Sequence, residues 1–328
     1  MRAIQCDAYG EPEGLVPRDL PAPTAGPGEA LVAVEAVGLG FVDALYVRGA
    51  YQVKRPLPFV PGSEMAGRVI AVGTGVDAAL VGKRVVALSP LGALAERVAL
   101  PASACTVVPD AIDPAIAAGM LVDYCTALYG LDTCGHLKRG ETLMVLGASG
   151  GVGDAALDVA KAMGARTIAV ASSAEKLLAC KHRAPALSID YNRPDWRKTL
   201  EAANAGHAID AVWDPVGGPY SETAFRCLSP GGRHLVVGFA AGEIPRLPLN
   251  LALLKRASLV GVDWGGHVRA DPALNANAPI LARLLAWVAE GRIAPRVHVA
   301  GGLDATASAL RALLDRKSVG KPVIRVGG

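Results

Sequence analysis

The glycines carry the clearest chemical purpose in this 328-residue chain. An apolar run, Thr142-Leu143-Met144-Val145-Leu146, ends in Gly147-Ala148-Ser149-Gly150-Gly151-Val152-Gly153, and Asp154-Ala155-Ala156-Leu157 then opens a helical pattern. Glycine in such a turn bends the backbone tightly and leaves space that a Cβ would fill. The helix N-terminus behind it offers unpaired N–H groups and a positive dipole end. Together these suit the diphosphate of a dinucleotide. A glycine pattern alone is a weak signal; a strand before it and a helix after it make it a specific one. Gly147, Ser149, Gly150, Gly151, Val152 and Gly153 are therefore candidate cofactor-binding residues.

The tip of the following strand selects the nucleotide. An Asp or Glu about twenty residues after the glycines would grip the ribose 2′-hydroxyl of NAD. Here the chain reads Ala171-Ser172-Ser173-Ala174-Glu175-Lys176. Ser172, Ser173 and Lys176 can bond and neutralise a 2′-phosphate that a carboxylate would repel, so NADPH is the expected cofactor. Glu175 is expected to point away at helical spacing.

A cofactor site of this kind needs a parallel sheet behind it. Apolar runs at 142–146, 167–171, 208–213, 233–237 and 258–262 alternate with helical patterns at 151–163, 174–183, 195–203 and 220–227. That alternation predicts an α/β, doubly wound parallel sheet. The first hundred residues differ. Short β-rich runs at 30–37, 65–72, 82–88, 94–100 and 104–108, with a helical turn at 41–46, predict a barrel or sandwich. Asp113 as N-cap and Pro114 at the first helical position mark the change of texture, and helix resumes over 125–134. Helices at 278–290 and 305–315 and a strand at 322–326 close the chain.

Composition narrows the partners. The net charge of +3 is spread along the chain, too weak a field to attract nucleic acid or an anionic membrane. Aromatics at 5% are too few for base-stacking platforms. No run reaches the ~18 uninterrupted apolar residues of a membrane span, and residues 1–7 lack the apolar core of a signal peptide. Six cysteines with no C-x-x-C pair suggest free thiols and a cytoplasmic protein.

Seven segments now combine. They are Gly38-Leu39-Gly40-Phe41-Val42-Asp43, Phe59-Val60-Pro61-Gly62-Ser63-Glu64-Met65-Ala66-Gly67, Gly82-Lys83-Arg84-Val85, Leu121-Val122-Asp123-Tyr124-Cys125-Thr126-Ala127, the glycine turn, Asp214-Pro215-Val216-Gly217-Gly218 and Gly320-Lys321-Pro322-Val323-Ile324. Over essentially its whole length the chain resembles the medium-chain dehydrogenase/reductases, specifically the zinc-free quinone oxidoreductase branch that includes zeta-crystallin. The resemblance implies a GroES-like β-rich catalytic domain from residues 1–120 and 268–328, and a Rossmann NADPH-binding domain from 121–267, with nicotinamide between them. It implies further cofactor residues: Thr126 on the nicotinamide side, Tyr191 at the adenosine phosphate end, and Val216. Gly238, Phe239 and Ala240 would lie beneath the nicotinamide, and Val262, Asp263 and Trp264 would offer backbone contacts to its carboxamide. Arg316, Lys317 and Lys321 read as solvated surface charges.

Zinc-dependent relatives resemble Gly-x-Cys-Gly-x-Asp and Gly-His-Glu at two of these segments. Gly40 and Ser63 stand at the ligand positions here, and neither ligates zinc. Residues 86–98 also lack the four cysteines of a structural zinc lobe. No metal is expected, which disfavours an alcohol dehydrogenase, whose alkoxide needs a Lewis acid. Gly40 further replaces an Asn usual in quinone reductases, and Leu45 a Tyr common in bacterial ones. The expected acceptor pocket is Gly40, Phe41, Tyr46, Tyr51 and Ser63, with Tyr46 and Tyr51 as candidate catalytic hydroxyls; Asp43 and Glu64 look structural in relatives. His136, His182, His207, His234, His267 and His298 are dispersed, with no Ser-His-Asp spacing.

The expectation is an NADPH-dependent quinone oxidoreductase. An ene-reductase of α,β-unsaturated carbonyl, acrylate or enoyl substrates is the alternative, and an NADPH-binding protein with little turnover the non-enzymatic one. A homodimer is expected through an edge strand at 258–262 together with 247–254.

Overall fold

In the computed structural model, which describes residues 1–51, 53–89, 91–270 and 277–327, the chain divides into two units. Residues 1–122, 277–278 and 295–327 form the first, and residues 123–270 and 279–294 the second. Helix 278–289 presents Leu281, Leu284 and Trp287 to the second unit's interior, and Arg283 pairs there with Asp132 at 2.6 Å.

The N-terminal half supplies short strands β1 (Arg2–Gln5), β2 (Val16–Asp19), β3 (Glu29–Gly38), β4 (Glu64–Val72), β5 (Arg84–Leu88), β6 (Arg97–Pro101) and β7 (Cys105–Val107). Helix α1 (Phe41–Val47) lies between β3 and β4, and α2 (Pro114–Leu128) follows β7. Asp113 accepts from the Ala115 N–H at 2.8 Å and Pro114 opens α2, as the capping signal predicted. A π-helical turn, Tyr129–Cys134, extends it to Gly135. Taken together, Pro114–Cys134 is the one helix among the described residues long and apolar enough to cross a bilayer, and 72% of its most apolar stretch is buried inside the fold. Asp123 interrupts the run, which is why a count of uninterrupted apolar residues passes over it.

The second unit is built from β8 (Thr142–Leu146), α3 (Gly151–Ala162), β9 (Arg166–Ala171), α4 (Ala174–Cys180), β10 (Leu187–Asp190), α5 (Trp196–Ala203), β11 (Ala211–Asp214), α6 (Tyr220–Cys227), β12 (Arg233–Val236), α7 (Asn250–Lys255), β13 (Ser258–Gly261), α8 (Trp264–Ala270) and α9 (Ala278–Ala289). Its six strands run parallel in the order β10-β9-β8-β11-β12-β13, the doubly wound order of a Rossmann sheet. The order reverses between β8 and β11, so the turns after these two strands flank the switch point where such sheets bind ligands.

The chain ends with β14 (Val297–Gly301), α10 (Thr306–Leu314) and β15 (Lys321–Arg325). These strands complete a seven-stranded sheet in the order β14-β15-β3-β4-β5-β7, with β6 on β3. That is the GroES-like unit. Its core gathers Val34, Leu39, Met65, Leu94, Leu310 and Ile324, which joins the two ends of the sequence.

Parts of the chain depart from these expectations. Residues 247–254 were expected to share the dimer edge with the strand at 258–262; of these, Asn250–Lys255 is a helix, because Leu and Ala favour helix and Pro248 precedes its start. The four-residue strands β2 and β10 and the strand β14 carry no alternating signal long enough to read. Residues 264–270 form α8 where no helix was expected.

Candidate functional site

β8 is fully buried and parallel to both neighbours, so its C-terminal end is fixed to within the sheet register. The chain turns there at Gly147, whose φ of +60° favours glycine. A Cβ on Gly153 would lie 2.2 Å from the Gly147 carbonyl oxygen, so this glycine lets α3 close onto the turn. Gly150 differs. Its surroundings leave ordinary space, with the nearest atom 3.5 Å from where a Cβ would sit. Gly150 is also the N-cap of the 12-residue α3 and provides no side-chain acceptor. The first-turn N–H groups are left for another partner. Ser149 is buried beside them, and Gly151 and Val152 are half-buried.

The acid in this first turn is neutralised from behind. Asp154 bonds the buried Arg183 and lies 3.1 Å from His182, and Arg183 also meets Asp158 at 2.7 Å. Tyr124 donates to Asp158 at 2.8 Å; burial, more than any charge, pushes its phenol well above the ordinary value. No local pattern announces this cluster, since Arg183 reads as an ordinary helix-end cation.

At the end of β9, Lys176 Nζ donates to Ser172 Oγ at 3.0 Å. Ser173 caps α4 by accepting from the Lys176 N–H at 3.3 Å, and Glu175 is exposed. Tyr191 follows the neighbouring strand β10 and packs against Tyr220 with ring centroids 4.1 Å apart. The structure therefore brings Ser172, Ser173, Lys176 and Tyr191 to one end of the sheet. It adds Asn192 and Tyr220, which sequence reasoning missed: Asn192 donates to the Ser172 carbonyl at 2.7 Å and accepts from Tyr220 at 3.2 Å.

Across the switch point, β11 ends in Asp214, a buried hub. It accepts from Val216 N at 2.9 Å, Gly217 N at 2.8 Å, Ser221 Oγ at 2.5 Å and His234 Nε2 at 3.0 Å. Burial pushes this carboxyl up, but the bond and charge of His234, with Gly217 and Ser221, outweigh it and hold it below 3.8. Serine, histidine and aspartate are thus assembled, contrary to the expectation of dispersed histidines. The aspartate is the common acceptor, however, and Ser221 donates to it, so this is a turn-forming network rather than a nucleophilic triad. It shapes the Val216-Gly217-Gly218 turn.

Gly238, Phe239 and Ala240 follow β12, with Phe239 exposed. Val262 and Trp264 are buried side chains, and the Val262 N–H is spent on Val236 in the sheet. Asp263 caps α8 by accepting from Gly266 N at 2.7 Å, so the residues after β13 lead directly into a helix. Thr126 is half-buried on α2.

In the GroES-like unit a second polar cluster forms. Gly40 N donates to Asp43 at 2.7 Å and Ser63 Oγ donates to it at 2.5 Å. Burial raises the Asp43 carboxyl above 3.8, and Ser63, Gly40 and Lys321 offset this only in part. Lys321 pairs with Glu64, which also accepts from Val122 N at 2.7 Å. Both side chains are almost fully buried, which corrects the reading of Lys321 as a solvated charge; Arg316 and Lys317 are exposed as expected. A carboxylate fully removed from water needs a cation, and the fold draws one from the far end of the chain.

Phe41 and Ser63 are half-buried. Tyr46 belongs to the core and its ring meets that of Tyr51 at a tilt of 56°, with centroids 4.7 Å apart. Among the described residues no three His, Cys, Asp or Glu side chains cluster to hold a metal. Gly40 has no ligating atom and Ser63 already serves Asp43; these residues do not fit zinc. All six cysteines are free, with Cys180 and Cys227 pushed up to about 12 by burial.

Fold and site define a two-unit dehydrogenase of GroES-like plus Rossmann construction. Residues 26–110 match the alcohol dehydrogenase GroES-like domain, and residues 151–278 the zinc-binding dehydrogenase domain. The chain is 35% identical to the quinone oxidoreductase-like protein 2 homolog of Nematostella vectensis, over 98% of this chain and 88% of that one. It is 33% identical to the quinone oxidoreductase of Pseudomonas aeruginosa, over 98% and 99%. A mycobacterial protein solved with NADPH superposes with a TM-score of 0.88 at 33% identity, covering 99% of this chain and all of that one. The chain belongs to the medium-chain dehydrogenase/reductases, in their quinone oxidoreductase branch, and is an oxidoreductase.

Proposed function

We propose that this oxidoreductase uses NADPH to reduce a quinone, without a metal ion. The observation that carries the reading is the pairing of an uncapped helix start at Gly150 with a strand tip where Lys176 bonds the Ser172 hydroxyl. The NADPH complex of the mycobacterial neighbour supports it. In this reading the 147–153 turn holds the diphosphate, and Ser172, Ser173, Lys176 and Tyr191 receive the ribose 2′-phosphate. Thr126, Val216, Gly238, Phe239, Ala240 and the 262–264 segment surround the nicotinamide, which when bound supplies the hydride. Gly40, Phe41, Tyr46, Tyr51 and Ser63 form the acceptor pocket.

A quinone needs little acid help, since its reduced oxygens take protons from water. An activated alkene would need a proton source for the enolate. The half-buried Ser63 hydroxyl on Asp43, a carboxyl raised by burial, favours this second reading. The test is NADPH oxidation with 1,4-benzoquinone, a cyclic enone and an acrylate, alongside metal analysis. Turnover with quinone and substoichiometric zinc is expected. Turnover only with NADH, or loss of activity on zinc removal, would overturn the assignment.

The free thiols suit a reducing cytoplasm. The edge strand β13 and helix α7 present Leu253, Leu254 and Leu259 to solvent, which supports a homodimer through this edge. Gel filtration at the 33.6 kDa monomer mass would refute it.

A further inference from the structure

We propose that Asn192 is the positioning residue for coenzyme selection: it ties Ser172 to Tyr220 and so holds the Lys176–Ser172 pair beside the Tyr191–Tyr220 rings to receive a ribose 2′-phosphate. The proposal rests on the reading above that these residues hold that phosphate.

Asn192 stands directly after Tyr191, at the end of β10. It is exposed, yet three of its polar groups are engaged within the protein. Its N–H donates to Asp190 Oδ1 at 2.9 Å, its Nδ2 to the Ser172 carbonyl at 2.7 Å, and its Oδ1 accepts from Tyr220 at 3.2 Å. Ordering an exposed amide at both ends costs rotamer freedom and returns little stability, because water would satisfy the same atoms. The ordering has a geometric result. It fixes the Ser172 peptide plane, from which the Ser172 side chain reaches Lys176 Nζ at 3.0 Å. Through Tyr220 it also fixes the ring packed on Tyr191 at 4.1 Å. The Asn192 N–H in addition holds one oxygen of Asp190, the carboxylate nearest in sequence, within a local turn. Asn is required for this. An amide both donates to a carbonyl and accepts from a phenol, whereas a carboxylate offers no donor and would repel the phosphate.

The experiment compares dissociation constants for NADP⁺ and NAD⁺ by calorimetric titration of the wild type, Asn192→Asp, Asn192→Ala and Lys176→Ala, with thermal unfolding of each. Asn192→Asp is nearly isosteric and keeps the test open should the alanine variant fold poorly. The expected result is a loss of NADP⁺ affinity of about tenfold for Asn192→Asp and less for Asn192→Ala, with NAD⁺ affinity unchanged. A merely structural role would weaken both coenzymes together. Equal losses for both, or no loss in the Asn192 variants while Lys176→Ala abolishes the preference for NADP⁺, overturns the proposal alone. A preference that survives Lys176→Ala shows that the phosphate is held elsewhere, and the reading of the site falls with the proposal.

Discussion

Two buried aspartates, one in each unit, are both pushed up by burial yet end on opposite sides of the ordinary carboxylate value. Asp43 and Asp214 are 2% and 3% exposed, and desolvation is the largest influence on each. Asp43 receives the Gly40 and Ser63 N–H groups and the Ser63 hydroxyl, all neutral donors, and its carboxyl rises. Asp214 receives four donors, one of them His234, and its carboxyl falls. Burial alone therefore does not set a carboxylate's charge; the number and polarity of its donors decide. The two sites also differ in purpose. Asp214 is committed to a turn, whereas Asp43 holds the half-buried Ser63 hydroxyl and the start of α1.

The largest effect expected from this comparison is on stability. Asp214→Ala strands two amides, a serine and a histidine, and a loss of about 3–5 kcal/mol is expected in urea unfolding. Asp43→Ala strands two amides and one hydroxyl but no charged donor, and about 1–3 kcal/mol is expected. Equal losses would show that the donor count does not govern the difference.

The pH dependence separates them by sign. A lowered carboxyl binds fewer protons folded than unfolded, so the Asp214 contribution is present above 3.8 and fades as pH falls through its native value. A raised carboxyl does the reverse. The Asp43 contribution is complete below 3.8 and is lost as pH climbs through its native value. Asp214→Asn should flatten the acid limb of a stability profile, and Asp43→Asn the loss just above the ordinary carboxylate range. Profiles shifted in the same direction would break the contrast.

The smallest effect belongs to Gly40. Its backbone is extended at φ −114°, and a Cβ there would lie 3.6 Å from Asp43 and 3.8 Å from Lys321. Gly40→Asn should cost less than about 1 kcal/mol while changing the relative rates with quinone and enone. A large destabilisation would mean that the surroundings of Gly40 cannot accept the larger side chain.

The Rossmann unit was legible because its function is written in backbone geometry. Gly147 and Gly153 are demanded by a left-handed turn and a close approach within a few residues, and such demands leave a local mark. The alternation of β8, α3 and β9 was readable for the same reason. β10 was too short to show a period, and Asn192 looked like any turn residue until Ser172 and Tyr220 were placed around it.

Composition and spacing by themselves determined the α/β architecture and the glycine turn between β8 and α3, because each depends on neighbours in the chain; that Gly40 and Ser63 stand where zinc ligands would was implied by the family resemblance. Only the tertiary structure decided that Lys321 is buried against Glu64, that His234 and Ser221 meet on Asp214, and that Arg183 neutralises Asp154. A charge reads as solvated wherever it stands in a sequence. Whether water is removed from it, and which partner replaces that water, depends on segments far apart in the chain that come together only when the sheets close.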